Sequence, residues 1–189
     1  SKYSDKDDEA IQWGVHYKKW LGMTYYLKGD YKKASEYYYK SYTQLSDLIA
    51  KSYENKSDWL ELDRSKSICP HGYLELLLGN HESAKNSIRE CRQWLDSNSE
   101  QIDDDADAYQ TYRWLYLYYT HLNDKKNVEK FLDLAYKTVE NKIYGIDKYN
   151  ATDGKTEIDR FHLNPNRDTE PKYFYCRDII KAYDNFLSP

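Results

Sequence analysis

The sequence has few residues that interrupt helices or cross-link a chain. It contains 7 Gly and 4 Pro among 189 residues, which favours long helices, because sandwiches and barrels need many turns. Its 3 Cys are an odd number without a CxxC pair, so we expect reduced, half-buried cysteines and no disulfide framework. No apolar run approaches the roughly 20 residues of a membrane-spanning helix.

An excess of positive charge is also missing. The net charge is −4 with 32% charged residues. A nucleic-acid partner is therefore not expected, because such proteins neutralise phosphates with clustered Lys and Arg. Aromatic residues, in contrast, are abundant, with 22 Tyr and 5 Trp. Each ring buries a large apolar surface, so the composition indicates a folded chain and not a disordered one.

The stretch from Trp20 to Tyr42 predicts two helices joined by a tight turn. Gly29 is expected to end the first helix in a left-handed conformation, and Asp30 to cap the second. The apolar residues of the first helix recur at intervals of three and four, and the second helix, to about Tyr53, carries a similar stripe. These stripes are Trp13, Tyr17, Trp20, Leu21 and Tyr25, and then Tyr31, Ala34, Tyr38, Tyr42, Leu45, Ile49 and Tyr53.

The same pattern recurs further along the chain. A second set of residues follows the first by 50 positions. The corresponding pairs are Gly22 and Gly72, Gly29 and Gly79, Ala34 and Ala84, Tyr38 and Ile88, and Ser41 and Cys91. A third set, Val128, Leu132 and Ala135, follows by a further 44 positions, after a turn at Leu122-Asn123-Asp124. The sequence therefore predicts three helix pairs.

These residues resemble the tetratricopeptide repeat (TPR) over about Val15 to Val139. In the first pair, Leu21, Gly22, Tyr25, Gly29, Tyr31, Ala34, Tyr38 and Ser41 match the family's order of large, small, aromatic and turn residues. The resemblance implies an all-α fold, an α-α superhelix of about three helix pairs. The spacings of 50 and 44 exceed the usual 34, and Ser46, Asp96 and Glu140 replace the usual proline, so "TPR-like" is the accurate description.

The chain is expected to divide into four parts. Residues 1–8 are polar and expected to be frayed, and residues 9–144 form the TPR-like repeats. A polar, turn-rich loop follows over 145–169, and residues 170–189 are expected to form a C-terminal capping helix over the open end of the array. Pro70 interrupts the third helical segment, so that helix either kinks there or a new helix begins near Cys69.

The resemblance also implies a binding surface, since the first helix of each pair lines a concave face that takes up peptides. The residues expected there are His16, Lys19, Met23 and Tyr26, then Lys66, Cys69, Tyr73 and Leu76, and then Gln110, Arg113, Leu117 and Thr120. The family members that clamp a chaperone's C-terminal carboxylate pair such cations with Asn, which is absent here. The mixed surface favours an extended segment with an acidic or aromatic anchor.

Motifs for catalysis and metal binding are absent from the sequence. It contains no HExxH, no GxSxG and no glycine-rich phosphate loop. Cys69 and His71 supply only two of the three or four ligands that zinc needs, and the aspartates of 103–107 lack the Gly and Glu of an EF-hand. We therefore expect no metal, no cofactor and no enzymatic activity, with a helical enzyme near Cys69 and His71 as the least favoured alternative.

The function that these observations favour is a non-enzymatic scaffold that binds a protein or peptide. The alternative is a small-molecule-sensing regulatory domain of a larger protein, with its ligand held among Tyr and Trp rings. A cytoplasmic location is favoured because no signal peptide is visible. A mature exported form stays open, since the chain starts at Ser1 without Met. The sequence specifies neither the partner nor the oligomeric state.

Overall fold

The computed structural model describes residues 5–51, 58–98 and 108–150, with side chains over 13–51, 60–98 and 108–138. These residues form six helices: α1 (Asp5–Leu27), α2 (Tyr31–Lys51), α3 (Asp58–Leu77), α4 (His81–Ser97), α5 (Tyr109–His121) and α6 (Lys125–Asn150). Helices α1 to α4 belong to one compact unit, residues 1–97, and α5 and α6 to a second, residues 98–189. Packing is mostly between neighbours in sequence. The prediction of an all-α fold is confirmed.

Three turns within this structure share one pattern of backbone hydrogen bonds. In each, one amide donates to the carbonyl three residues back and the next amide to the carbonyl five residues back, at 2.9 to 3.1 Å. The donors are Gly29 and Asp30, Gly79 and Asn80, and Asn123 and Asp124. Gly29, Gly79 and Asn123 have φ of 76°, 80° and 56°. This is the Schellman motif, in which a left-handed residue satisfies the last carbonyls of a helix.

Aspartate caps the helix after two of these turns. Asp30 Oδ1 accepts a hydrogen bond from the Lys33 amide at 3.2 Å, and Asp124 Oδ1 accepts one from the Asn127 amide at 3.2 Å. Each carboxylate thereby satisfies an amide that has no partner within its own helix. The predicted roles of Gly29 and Asp30 are both confirmed.

Two further glycines allow close contact between the helices of a pair. A Cβ atom on Gly22 would lie 2.8 Å from the Tyr38 ring, and one on Gly72 would lie 2.8 Å from Ile88 Cγ1. Carbon atoms at that distance overlap, because their optimal separation is roughly 3.5 to 4.0 Å. In each pair, a side chain of the second helix therefore packs directly onto the backbone of the first helix.

Pro70 lies inside one continuous helix, α3. The alternative in which a new helix begins near Cys69 is therefore wrong. A proline inside a helix costs about 3 kcal/mol because it removes a hydrogen bond and crowds the preceding turn. Helix α3 packs against both α2 and α4, and Pro70 is fully buried, so tertiary packing offsets this cost.

The expectation that all three cysteines are reduced is wrong for two of them. Cys69 on α3 and Cys91 on α4 are fully buried and form a disulfide, with Cα atoms 5.6 Å apart. This separation is ordinary for a disulfide. The pairing has no short sequence signature, since the two cysteines are 22 residues apart and only the folding of two helices brings them together. Cys176 lies outside the described residues.

The apolar stripe predicted for α1 is only partly buried. Trp13, Tyr17 and Trp20 are 62%, 62% and 68% exposed. The face that α1 turns inward carries Val15, which is fully buried in a cluster with Leu45 and Leu60. Helical period was predicted from the spacing of these residues, but spacing alone does not say which face meets a neighbouring helix.

The predicted segment boundaries differ in part from the helices. Helix α1 begins at Asp5, within the segment 1–8 that was expected to fray, and α6 continues to Asn150, past the expected start of the polar loop at residue 145. The end of the second helix near Tyr53, residues 103–107, the remainder of the loop and the capping helix at 170–189 lie outside the described residues. Those predictions stay predictions.

Candidate functional site

Helices α1 and α3 present a shared surface on which several of the predicted binding residues meet. Lys19 Nζ lies 2.8 Å from Asp63 Oδ1, and His16 Nε2 lies 3.8 Å from Asp63 Oδ2. The rings of Tyr26 and Tyr73 meet edge to face, with centroids 6.5 Å apart. We call this the α1–α3 surface. It consists of His16, Lys19, Tyr26, Asp63 and Tyr73, of Lys66, whose charge acts on His16, and of Met23, which shares a helical face of α1 with Lys19 and Tyr26.

The charged end of this surface is partly withdrawn from water. The side chains of Lys19 and Asp63 are 14% and 10% exposed. Such a pair is costly to break from one side, because the remaining charge stays desolvated. Burial lowers the pKa of His16, as do Lys19 and Lys66, while Asp63 raises it. At neutral pH His16 is therefore an uncharged imidazole, favoured in that form by burial and by the charges of Lys19 and Lys66.

The remaining predicted site residues lie in different surroundings. Leu76 is 4% exposed in the first unit and Arg113 is 2% exposed in the second, which leaves almost no side-chain surface for a partner. The Arg113 guanidinium carbon lies 5.0 Å from the centre of the Trp114 ring, a cation–π distance. Gln110 and Leu117 are half-buried on α5, in the second unit.

A pocket that the sequence did not predict lies between α2, α3 and the turn after α3. Its volume is about 380 Å³, within the size range of small-molecule sites. We call it the α2–α3 pocket, and its lining consists of Lys32, Ser35, Glu36, Tyr39, His71, Glu75, Leu78 and Asn80. The residues come from separate stretches of sequence, so no local motif marks them.

A hydrogen-bond network forms the wall of this pocket. Ser35 Oγ donates to Glu75 Oε1 at 2.6 Å, and Asn80 Nδ2 donates to Glu75 Oε2 at 2.9 Å. Ser35 Oγ also lies 2.8 Å from His71 Nδ1. Since a serine hydroxyl has one proton and Glu75 receives it, His71 Nδ1–H must donate to Ser35 Oγ. In the neutral ring, Nε2 then keeps its lone pair.

The environment of His71 favours that neutral form. His71 is 7% exposed, and burial lowers its pKa, while the Glu75 carboxylate opposes this shift. The Tyr39 ring lies against the imidazole, with centroids 4.9 Å apart. His71 is therefore a fixed, uncharged hydrogen-bond acceptor at neutral pH.

This arrangement differs from that of a nucleophilic serine. In a Ser–His hydrolase the imidazole takes the hydroxyl proton, whereas Ser35 donates its proton to the Glu75 carboxylate. Cys69, near which the least favoured enzymatic alternative was placed from sequence, has no thiol because it is bonded to Cys91. Neither residue has the geometry that nucleophilic catalysis requires.

Comparison of the chain with protein-family models, curated proteins and solved structures finds no match. The likeness to TPR proteins therefore rests on residue pattern alone. In the part of the chain that the structure describes, no group of three or more His, Cys, Asp or Glu residues is placed to hold a metal ion. No helix among the same residues has the length and apolar character of a membrane span.

Proposed function

We propose that this chain is a TPR-like array and that it acts as a non-enzymatic scaffold for an extended peptide or protein segment. The repeat is supported by the three equivalent turns and by the contacts of Gly22 with Tyr38 and of Gly72 with Ile88. Both contacts span the same number of residues and lie 50 positions apart. Stacking of such pairs buries a continuous core, as in other solenoids.

The observation that carries the binding proposal is the direct meeting of α1 and α3 side chains. These helices are separated in sequence by α2, yet Lys19 contacts Asp63 and Tyr26 contacts Tyr73. First helices of successive pairs line the peptide-binding face in the array that we propose. The α1–α3 surface offers two tyrosine rings, Met23 and the cation of Lys66, while the Lys19 ammonium is paired with Asp63. This combination suits a segment with an aromatic or acidic anchor.

A peptide-display selection tests this proposal for a partner of unknown sequence. Peptides selected on the wild-type chain are expected to bind Lys66→Glu about tenfold more weakly, the effect of roughly 1.4 kcal/mol. The matched control is Lys85→Glu, an exposed charge reversal on α4, which should leave peptide affinity unchanged. Unfolding midpoints of both variants show whether the fold is intact.

Two results would contradict the peptide-binding proposal. One is a selection that yields no peptide with affinity above that for an unrelated protein. The other is a set of selected peptides that bind Lys66→Glu and Tyr26→Ala as tightly as they bind the wild type. Arg113 is unsuited to such a test because its burial makes a charge reversal there a change to the interior.

A small-molecule-sensing domain is the second candidate function, and the α2–α3 pocket favours it. The pocket combines a volume of about 380 Å³ with an aromatic ring and a polar network in which the Ser35–His71 hydrogen bond is buried. Ligand sites in general combine apolar walls with a few placed polar groups. A thermal-shift screen of metabolites tests this candidate, because a ligand that binds only the folded state raises the unfolding midpoint.

A further inference from the structure

The α2–α3 pocket concentrates hydrogen-bond acceptors around a space of about 380 Å³. From this geometry we propose that the pocket binds a primary ammonium group, carried by a free amine or by a lysine side chain. The inference rests on the second candidate function and not on the α1–α3 surface. Three properties of the lining support it: an imidazole lone pair, a net negative charge and an exposed aromatic ring.

The first property follows from the hydrogen bonds of His71. Its Nδ1–H is used by Ser35 Oγ, whose own proton is used by Glu75. Among the described residues, Nε2 has no hydrogen-bond partner. Because His71 is 7% exposed, the pocket is the place from which a ligand can reach this ring. A neutral imidazole nitrogen with a lone pair accepts a donor and cannot itself donate.

The second property is the charge of the lining. Glu36 and Glu75 contribute two carboxylates, and Lys32 contributes one exposed ammonium. Glu75 receives hydrogen bonds from the neutral groups of Ser35 and Asn80. In the described part of the chain no Lys or Arg forms an ion pair with Glu75. A half-buried carboxylate without a cation attracts one, and screening by salt is weaker there than at an open surface.

The third property is the Tyr39 ring, which is 48% exposed beside the imidazole. A cation over the face of a tyrosine ring is attracted by the ring's quadrupole. An ammonium has three N–H donors, and His71 Nε2 with the two carboxylates supplies acceptors for them. A metal ion is a poorer fit, because no cluster of three ligand residues is formed within the described residues.

Nuclear magnetic resonance on the full chain tests the proposal directly. The probes are n-butylamine and Nα-acetyl-lysine amide, and the control is Nα-acetyl-norleucine amide, which has a similar side chain without the ammonium. We expect both ammonium probes to shift the ring nitrogen signals of His71, and the norleucine control to leave them in place. Equal effects of lysine and norleucine amides, or no shift of His71 with either amine, would overturn the inference.

Two matched variants test whether amine binding depends on the Glu75 carboxylate. Glu75→Gln keeps the shape and can still accept the Ser35 hydrogen bond, but removes the charge. We expect about a tenfold loss of amine affinity, as for one hydrogen bond to a charged group. Glu82→Gln, an exposed change in the first turn of α4, should have no effect. Unchanged affinity in Glu75→Gln refutes the assignment.

Two further comparisons identify the source of the ammonium group and test the small-molecule function separately from the ligand class. Tighter binding of the lysine derivative than of butylamine assigns the ammonium to a peptide side chain, and equal binding assigns it to a free amine. If both amines fail while another compound raises the unfolding midpoint, the ligand class is wrong but the small-molecule function stands.

Discussion

The pairs α1–α2 and α3–α4 contain the same turn and the same glycine contact, but their first helices are covered to different extents. Helix α3 packs between α2 and α4, and its residues 67–72 are all buried. Helix α1 packs mainly on α2 and leaves Trp13, Tyr17 and Trp20 largely exposed. The local pattern thus determines how a pair is built, whereas its neighbours determine which faces become core.

The two pairs also differ at equivalent positions. Cys69 and Cys91 link α3 to α4 within the second pair. Fifty positions earlier stand Lys19 and Ser41, and both reach forward to α3 instead. Lys19 pairs with Asp63, and Ser41 lies 3.0 Å from Ser67 Oγ. Equivalent positions therefore link the two helices of the α3–α4 pair to each other, whereas in the α1–α2 pair they contact helix α3 of the following pair.

The largest expected effect comes from the disulfide, which is present in the α3–α4 pair and has no counterpart in the α1–α2 pair. Reduction of the Cys69–Cys91 disulfide, or the double change to serine, should lower the free energy of unfolding by about 3 kcal/mol. This is the value for a loop closed between two residues that are 22 positions apart. Urea unfolding with and without reductant measures it, and Cys176→Ser serves as the control.

Thiol counting provides an independent check of the same pair. Protein purified without reductant should show a mass two hydrogens lower per disulfide than its reduced form. Two alkylated thiols at Cys69 and Cys91, in protein unfolded with denaturant but without reductant, would contradict the assignment and leave the pairs alike in this respect.

A second effect tests what the pairs have in common. Gly22→Ala and Gly72→Ala should each cost about 1 to 3 kcal/mol, because the new methyl group overpacks against Tyr38 or Ile88. Gly14→Ala is the matched control, since its methyl group would lie 3.9 Å from the nearest side chains. That change should stabilise the helix by up to about 1 kcal/mol.

A second substitution that relieves this overpacking shows whether the loss of stability comes from the side-chain contact or from helix propensity. Ile88→Val should recover part of the loss in Gly72→Ala, because it removes a methyl group that the new Cβ meets. Equal unfolding midpoints for Gly14→Ala and Gly72→Ala would show that the close contact of α3 and α4 does not exist in solution.

The smallest expected effect concerns one histidine in each pair. The pKa values of His16 and His71 are both lowered, first by burial, from an ordinary value of 6.5. As the pH falls below that value, the unfolded chain binds protons that the folded chain does not, so stability decreases with acidification. The contribution of each histidine to the free energy of unfolding is complete above its pKa in the unfolded chain. This contribution decreases as the pH falls toward the lower pKa of the folded chain.

Histidine variants measure the two contributions. His71→Gln should flatten the slope of unfolding free energy against pH between about 7 and 5. His16→Gln should flatten it less, since His16 is the more exposed ring. Asp30, whose pKa is lowered below 3.8 by the Lys33 amide and side chain, does not titrate in this window. An unchanged slope in His71→Gln would contradict the neutral, buried state of this ring.

The parts of the fold that were predictable from sequence are those with local causes. The turn at Gly29 and the cap at Asp30 involve hydrogen bonds within a few residues, so residue type and spacing are sufficient. The continuity of α3 through Pro70 and the exposure of Trp20 depend on helices that pack from elsewhere. Propensity and period contain no information about those neighbours.

The two candidate sites also differ in how far they could be predicted from sequence. Tyr26 and Tyr73 were each named from the sequence pattern as residues of the first helices, and in the structure their rings meet. The network of Ser35, His71 and Glu75 was missed because Ser35 lies 36 and 40 positions from its partners. His71 and Glu75 alone, one helical turn apart, are too common a pairing to indicate a site.

The three Schellman turns have a consequence for the spacing of residues within a helix pair. Each turn fixes where one helix stops and the next starts, so the interlocked stretches 22–38 and 72–88 keep one internal spacing. The turn residues Gly29, Gly79 and Asn123, in contrast, follow one another at unequal intervals of 50 and 44 residues. The six-residue difference between these two intervals therefore lies in the stretches of chain between successive turns and not in the turns themselves.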